Sequence, residues 1–149
     1  VWADGLHCPT GFELYDGGAL VAQCPDLWLL KDATGKGKAD LRQRVVHGLD
    51  SADTHHASNS FVMGPGGDFF FQEGTFHHSQ VETPYGPTER LANAGVFRYH
   101  ARTQRFEVYV TFGFANPHGH VFDRWGRDIV VDGTGAQPYD AALFSGRLE

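Results

Sequence analysis

Four of the nine histidines stand as two adjacent pairs, His55-His56 and His77-His78, on either side of the segment NSFVMGPGGDFFFQEG, residues 59–74. Imidazole titrates near neutrality and is the commonest metal ligand, so histidines gathered at the ends of one hairpin could supply a base, a metal site or both. The segment between the pairs reads as that hairpin: the apolar runs Phe61-Val62-Met63 and Phe69-Phe70-Phe71 are separated by the turn Gly64-Pro65-Gly66-Gly67. A turn near Gly66 pairs residues before Phe61 with residues after Phe71, which carries His77 and His78 toward His55 and His56. With Glu73 or Glu82, the set His55, His77 and His78 would suit zinc, copper, iron or manganese. The spacing matches no sharp metal motif, and a rim of hydrogen-bonded histidines is the alternative reading.

The rest of the chain says what must position these groups. Its 149 residues fit one domain with a core of its own, and 19 Gly with 12 Phe favour strands joined by tight turns over packed helices. The expected class is all-β. A net charge of −6, with no run of basic residues, lacks the electrostatic footprint of a nucleic-acid binder and suits neutral or cationic small partners. No stretch of about 18 apolar residues predicts a membrane span. The chain starts Val1-Trp2-Ala3-Asp4 and ends Arg147-Leu148-Glu149 without an initiator Met, as a processed piece of something longer would. Cys8 and Cys24 flank a predicted hairpin with its turn at Asp16-Gly17-Gly18. Antiparallel pairing about that turn brings the sulfurs nearly opposite, so a disulfide is expected, with two small buried thiols as the alternative. A periplasmic or extracellular setting follows from the bond if it forms.

A phrase also recurs. Gly5-Leu6-His7-Cys8-Pro9-Thr10-Gly11-Phe12 and Gly113-Phe114-Ala115-Asn116-Pro117-His118-Gly119-His120 share Gly, Pro and Gly at the same offsets, each followed by a turn glycine and an apolar strand. A worn third copy starts at Gly48-Leu49. Repeats of short strands at a period of about 40–50 residues are typical of propeller blades, and the expected blades span residues 5–46, 48–110 and 113–149. In the first, Leu27-Trp28-Leu29-Leu30 and Arg44-Val45-Val46 form the outer pair. In the second, residues 95–99 and 106–110 do so, with Val96, Phe106 and Val108 on buried faces. Residues 75–93, which carry His77, His78 and Pro84-Tyr85-Gly86-Pro87, are an inserted long loop. Three blades do not close a ring, which needs about four to eight. The chain is then part of a larger propeller or half of an oligomer.

Residues 26–135 resemble the propeller domain of the large membrane-bound dehydrogenase proteins of planctomycetes and verrucomicrobia, many of which carry a c-type haem domain. The matching phrases are DLWLLKDATGKGKADLR, DTHHASNSFVMGPGGDFFFQEGTFHHSQVETPYGP, AGVFRYHARTQRFEV and GFANPHGHVFDRWGRDIVVDGTG. Those proteins are similar to the soluble quinoprotein sugar dehydrogenases, six-bladed propellers that bind pyrroloquinoline quinone (PQQ) and calcium. The resemblance implies oxidation of a sugar or alcohol hydroxyl, with His56, eight residues before Gly64, as the general base. It implies a cofactor face formed by Asn116, Pro117, His118, Gly133 and Thr134, and a c-type cytochrome as electron acceptor. The chain itself has no haem motif. It also departs from the pattern at Ala115, where the sugar dehydrogenases carry an arginine that helps hold the anionic cofactor; Arg98, Arg124 or Arg127 would have to substitute.

Other residues weigh less. The segment DATGKGKAD, residues 32–40, looks like a worn calcium loop in which Thr34 and Lys36 replace carboxylates, and an ordinary glycine-rich turn is the better reading. Core packing explains Trp28, Phe69, Phe70, Phe71, Phe97 and Phe106 more simply than a sugar-stacking platform does. Tyr85 and Trp125, in turn or loop settings, are better placed for ligand contact. The rival to an enzyme is a non-catalytic module that binds a glycan or a partner protein through residues 75–93.

Overall fold

The computed structural model of the chain describes residues 1–141. The end of the third predicted unit, residues 142–149, lies outside the described residues. The chain is all-β, as expected. Among the described residues there are thirteen strands: β1 (Gly11–Tyr15), β2 (Gly18–Gln23), β3 (Asp26–Lys31), β4 (Leu41–His47), β5 (Asn59–Met63), β6 (Phe69–Glu73), β7 (His78–Val81), β8 (Glu89–Ala92), β9 (Gly95–His100), β10 (Arg105–Thr111), β11 (Pro117–Phe122), β12 (Asp128–Asp132) and β13 (Gln137–Asp140). The helix-free outcome follows from short apolar runs cut by turn residues. Asp16 and Gly17, for instance, both take positive φ, 48° and 72°, as the two-residue turn of a tight hairpin needs.

Three antiparallel sheets result, ordered β1-β2-β3-β4, β10-β9-β6-β5 and β11-β12-β13, with a separate β7-β8 hairpin. The second sheet lies in the middle, and its strands explain why. Period-two alternation sends Phe69, Phe71, Phe97 and Phe106 into a core shared with Leu20, Leu27 and Val46 of the first sheet. The residues between them, Phe70 and Val96, join Val110 in a second core with Phe114 and Val130 of the third sheet's region. The run Phe69-Phe70-Phe71 therefore serves two cores at once, and core packing is the fate of these aromatics. Val96 and Phe106 are buried and Val108 partly so. The first strands of the sheets are neighbours too, with β5 touching both β1 and β11.

Two expectations need correction. Residues 75–93 are not a long loop: they fold as the β7-β8 hairpin, which closes the first core with Val81 and Leu91. Cys8 and Cys24 are free, the first exposed and the second half-buried. Pairing of β1 with β2 stops at Gly11 opposite Ala22. Cys8 lies beyond that ladder with φ of 47°, while Cys24 has turned away so that its Sγ is 4.0 Å from Ser58 Oγ. Burial pushes the Cys24 thiol pKa up, against the pull of hydrogen bonds from Ser58. The glycine-rich turn at residues 32–40 is an ordinary one. Both oxygens of Asp32 accept backbone N–H groups, from Lys36 at 3.0 Å and Gly37 at 2.7 Å, and Asp40 accepts from Ala33 N and the Thr34 hydroxyl.

Candidate functional site at the sheet rim

The segments at which β5 and β11 begin lie at one rim of the stack. There the loop before β5 meets the corner between β6 and β7, the loop before β11 and the turn after β12. His56 sits in the first of these. Its Nε2 is 2.5 Å from Asn116 Oδ1, and its Nδ1 is 3.2 Å from Asp53 Oδ2 without the alignment of a good hydrogen bond. Phe76 meets the ring edge-on, with centroids 5.7 Å apart. Gly74 is required beneath it: a Cβ there would lie 2.7 Å from His56 Cβ, and Gly74 N donates to His56 O at 2.9 Å.

Asn116 is fixed in turn. Its Nδ2 donates to Thr134 Oγ1 at 2.6 Å, which leaves Oδ1 facing the imidazole. Beneath both lies Asp132, buried, whose carboxylate accepts the backbone N–H groups of Ala115 at 2.8 Å, Asn116 at 2.9 Å and Thr134 at 2.9 Å. Desolvation works to raise the Asp132 pKa, but these donors prevail and hold it below the ordinary value. Such a carboxylate stabilises the fold at neutral pH, and the contribution is lost as pH falls through its folded pKa. Asp132→Ala is expected to cost about 2–3 kcal/mol, because three backbone donors lose their acceptor. Urea denaturation measures that cost, and a smaller loss at pH 3 than at pH 7 checks its origin.

The other predicted residues are distributed unevenly. Pro117 is buried, while His118, Gly133 and Thr134 are exposed on the rim. His55 has a side chain 89 % exposed, with Nδ1 3.5 Å from Asp53 Oδ1. His78 is exposed, and its backbone N donates to Asp50 Oδ2 at 2.6 Å. His77 is fully buried, with Nε2 2.8 Å from the Asp53 carbonyl oxygen and Nδ1 4.0 Å from Glu73 Oε2. Each pair is thus split, with His56 and His77 turned inward and His55 and His78 outward. Among the described residues no three His, Cys, Asp or Glu side chains gather as a ligand set. Glu82 instead serves the backbone, pairing with His47 through two hydrogen bonds.

Two carboxylates that sequence reasoning missed organise the loop before β5. Asp53 accepts His55 N at 2.7 Å through its side chain and His77 through its carbonyl. The His55 N–H, with help from His56, holds its carboxyl below the usual range. Asp50 accepts N–H groups from Ser51, Ala52 and His78, while its own N–H donates to Ser79 Oγ at 2.8 Å. Ser79 Oγ donates to Glu73 Oε2 at 2.7 Å, and Glu73 is completely buried. An Asp two residues before a loop N–H is a recognisable turn signal, present here as Asp50-Ser51-Ala52 and Asp53-Thr54-His55.

Fold and rim define an all-β domain of stacked antiparallel sheets with a carboxylate–imidazole–amide chain at one edge. The chain belongs to a family described as a domain of unknown function (DUF7133), whose model matches residues 1–143. No curated protein matches it, and no solved structure does.

Proposed function

We propose that the three sheets are blades of a β-propeller, and that the chain is an oxidoreductase-like domain whose rim presents a hydroxyl-bearing small molecule, a sugar or an alcohol, to His56. The observation that carries this reading is the meeting of His56, from the loop before the second sheet's β5, with Asn116 and Thr134 from two loops of the third sheet. The side-by-side contacts of β1, β5 and β11 support the propeller. Facing an amide oxygen, Nε2 is the donor and carries the proton in this arrangement. With the proton moved to Nδ1, beside Asp53, Nε2 accepts a hydroxyl proton, and the displaced Asn116 amide is free to hydrogen-bond the ligand. Asp53 is then a positioning residue and His56 the catalytic one.

The cofactors implied by the resemblance do not fit the described residues. PQQ is anionic, and the rim offers Asp50, Asp53 and Asp132 with Ala115 in place of a cation. Arg98 is engaged by Asp68 and Glu107, Arg127 by Asp140, and Arg124 covers Trp125. Asp132 offers calcium no free carboxylate, since backbone N–H groups already occupy both of its oxygens, which leaves only the backbone carbonyls of residues 132–135 as ligands. No step is therefore routed through the quinone. This mismatch favours a second reading, a non-catalytic module that binds the same hydroxylated ligand, with Tyr85, 78 % exposed in the β7-β8 turn, as a further contact. The resemblance extends the first reading to a c-type cytochrome partner and a periplasmic or extracellular setting.

The test is calorimetric titration with a panel of sugars and polyols, paired with an oxidation assay in which an added redox dye is the electron acceptor. Binding that His56→Ala weakens at least tenfold, with turnover lost at least 100-fold, supports the oxidoreductase. Binding without turnover selects the module, and no binding removes the site.

A further inference from the structure

The first sheet has two faces, and only one is covered by the second sheet. The register of β1, β2 and β3 puts Phe12, Leu14, Ala19, Val21, Trp28 and Leu30 on the other face. Ala3 and Leu6 of the N-terminal segment cover Ala19, Val21 and Leu30 there. Beside them remains an apolar cleft of about 1090 Å³, lined by Trp2, Leu6, Phe12 and Leu14 among others, where Phe12 is 64 % and Leu14 66 % exposed. That volume exceeds the roughly 300–1,000 Å³ of ordinary small-molecule pockets, and few polar groups are present to orient a ligand. Exposed apolar surface of this kind marks an interface.

The molecule's own packing identifies the occupant. In both internal interfaces the forward face of one sheet meets the receiving face of the next. Leu20, Leu27 and Val46 of the first meet Phe69, Phe71 and Phe97 of the second. Phe70, Val96 and Val110 of the second meet Val130, with Phe122 and Tyr139, of the third. Among the described residues two faces are left over. The receiving face is that of the first sheet, carrying the aromatics Phe12 and Trp28. The forward face is that of the third sheet, on which the register places Val121, Ile129, Val131 and Pro138, with Val121 54 % exposed.

We infer that two copies of this chain associate head to tail, the outer face of the third sheet of one seated in the apolar cleft of the first sheet of the other. The placement of the turns agrees with this arrangement. Inside the chain the β5-β6 and β11-β12 turns approach each other at the rim opposite His56, where a Cβ on Gly126 would lie 3.7 Å from Pro65. Repeating that step between copies brings Arg124, exposed over Trp125, toward the Asp16-Gly17 turn of the β1-β2 hairpin. A two-fold pair makes the contact twice and closes, whereas any other rotation continues into a longer ring or filament. This inference shares the stacked-sheet reading and does not depend on the chemistry at His56, so its failure leaves ligand binding at the rim as it was.

Sedimentation of the full chain at 10–100 μM, on the order of ordinary assay concentrations for μM association, gives the test. Wild type is expected at twice the chain mass. Leu14→Asp and Val121→Asp, both at exposed strand positions, should each sediment as folded monomers with dimer dissociation raised at least 100-fold. Mixing the two variants restores one intact contact and returns a heterodimer, because each supplies the face the other has lost. A monomeric wild type overturns the inference, as does a dimer that only one variant breaks or that mixing does not restore.

Discussion

Between pH 5 and pH 8 the wild-type protein is expected to lose roughly 3–5 kcal/mol of stability that the Glu73→Gln variant keeps. Glu73 is completely buried, and desolvation pushes its carboxyl pKa up to about 8, with the Asp50 carboxylate adding to the rise and the Ser79 hydroxyl opposing it. The folded pKa lies above the unfolded one. The fold's preference for the protonated acid is therefore fully expressed below the unfolded value near 4.5 and is lost as pH climbs through 8. Each pH unit in that window withdraws about 1.4 kcal/mol, because the unfolded chain releases a proton that the folded chain retains. Glutamine keeps the shape and an acceptor for Ser79 without ionising. Urea titrations at several pH values are the measurement. Parallel curves for the two proteins would mean that the carboxyl does not titrate in this window.

The consequence reaches the rim. Ionised Glu73 faces Asp50 across Ser79 and lies 4.0 Å from His77, whose Nε2 holds the Asp53 carbonyl. The loop from Asp50 to His56 is thus fastened from below by a network around one carboxyl, Glu73, whose charge changes near pH 8.

Gly48→Ala is the second large effect, expected to cost on the order of 4 kcal/mol or more. Gly48 has φ of +100°, and a Cβ would lie 1.9 Å from the carbonyl oxygen of Gln80. That neighbour is backbone and has no rotamer to move. Gln80 N donates to Gly48 O at 3.0 Å, and the adjacent His47 and Glu82 exchange two further bonds. The extra methyl therefore prises the β7-β8 hairpin from the end of β4. It also uncovers Val81 and Leu91, which are buried in the first core. Thermal unfolding of Gly48→Ala beside Gly86→Ala separates this from the general cost of losing a glycine. Gly86 has a far milder contact, 3.1 Å from the end of the Thr83 side chain. Equal losses would assign the effect to chain entropy rather than to the collision.

Much of this architecture is legible in the sequence, for identifiable reasons. Strands β3, β4, β9 and β10 announce themselves by β-branched and aromatic runs between turn residues, and Phe69-Phe70-Phe71 reads as core because both faces of a middle strand are apolar. The β7-β8 hairpin is silent. His78-Ser79-Gln80-Val81 and Glu89-Arg90-Leu91-Ala92 hold one inward apolar residue each, too few to reveal a period. The cysteines mislead because sequence symmetry about Asp16-Gly17 says nothing of where pairing stops, and it stops at Gly11. At the rim, Asn116 lies in the recurring phrase, while His56 and Thr134 are singled out only by the family resemblance. Asp50 and Asp53 show only as local turn signals, and Asp132 not at all, since its work is to accept backbone N–H groups from a separate loop and no side-chain motif marks that task.

The β7-β8 excursion leaves the second sheet after Glu73 and returns at Gly95, and these two residues are partners in the β6-β9 ladder. Its two ends are therefore already side by side, so a longer or shorter insert adds little loop-closure entropy, about 0.6 kcal/mol per doubling of length. The ladder behaves as a socket at which foreign hairpins can be exchanged. The requirement for any replacement is a strand whose backbone pairs with Gly48 as that of Gln80 does and that returns two apolar residues to the core.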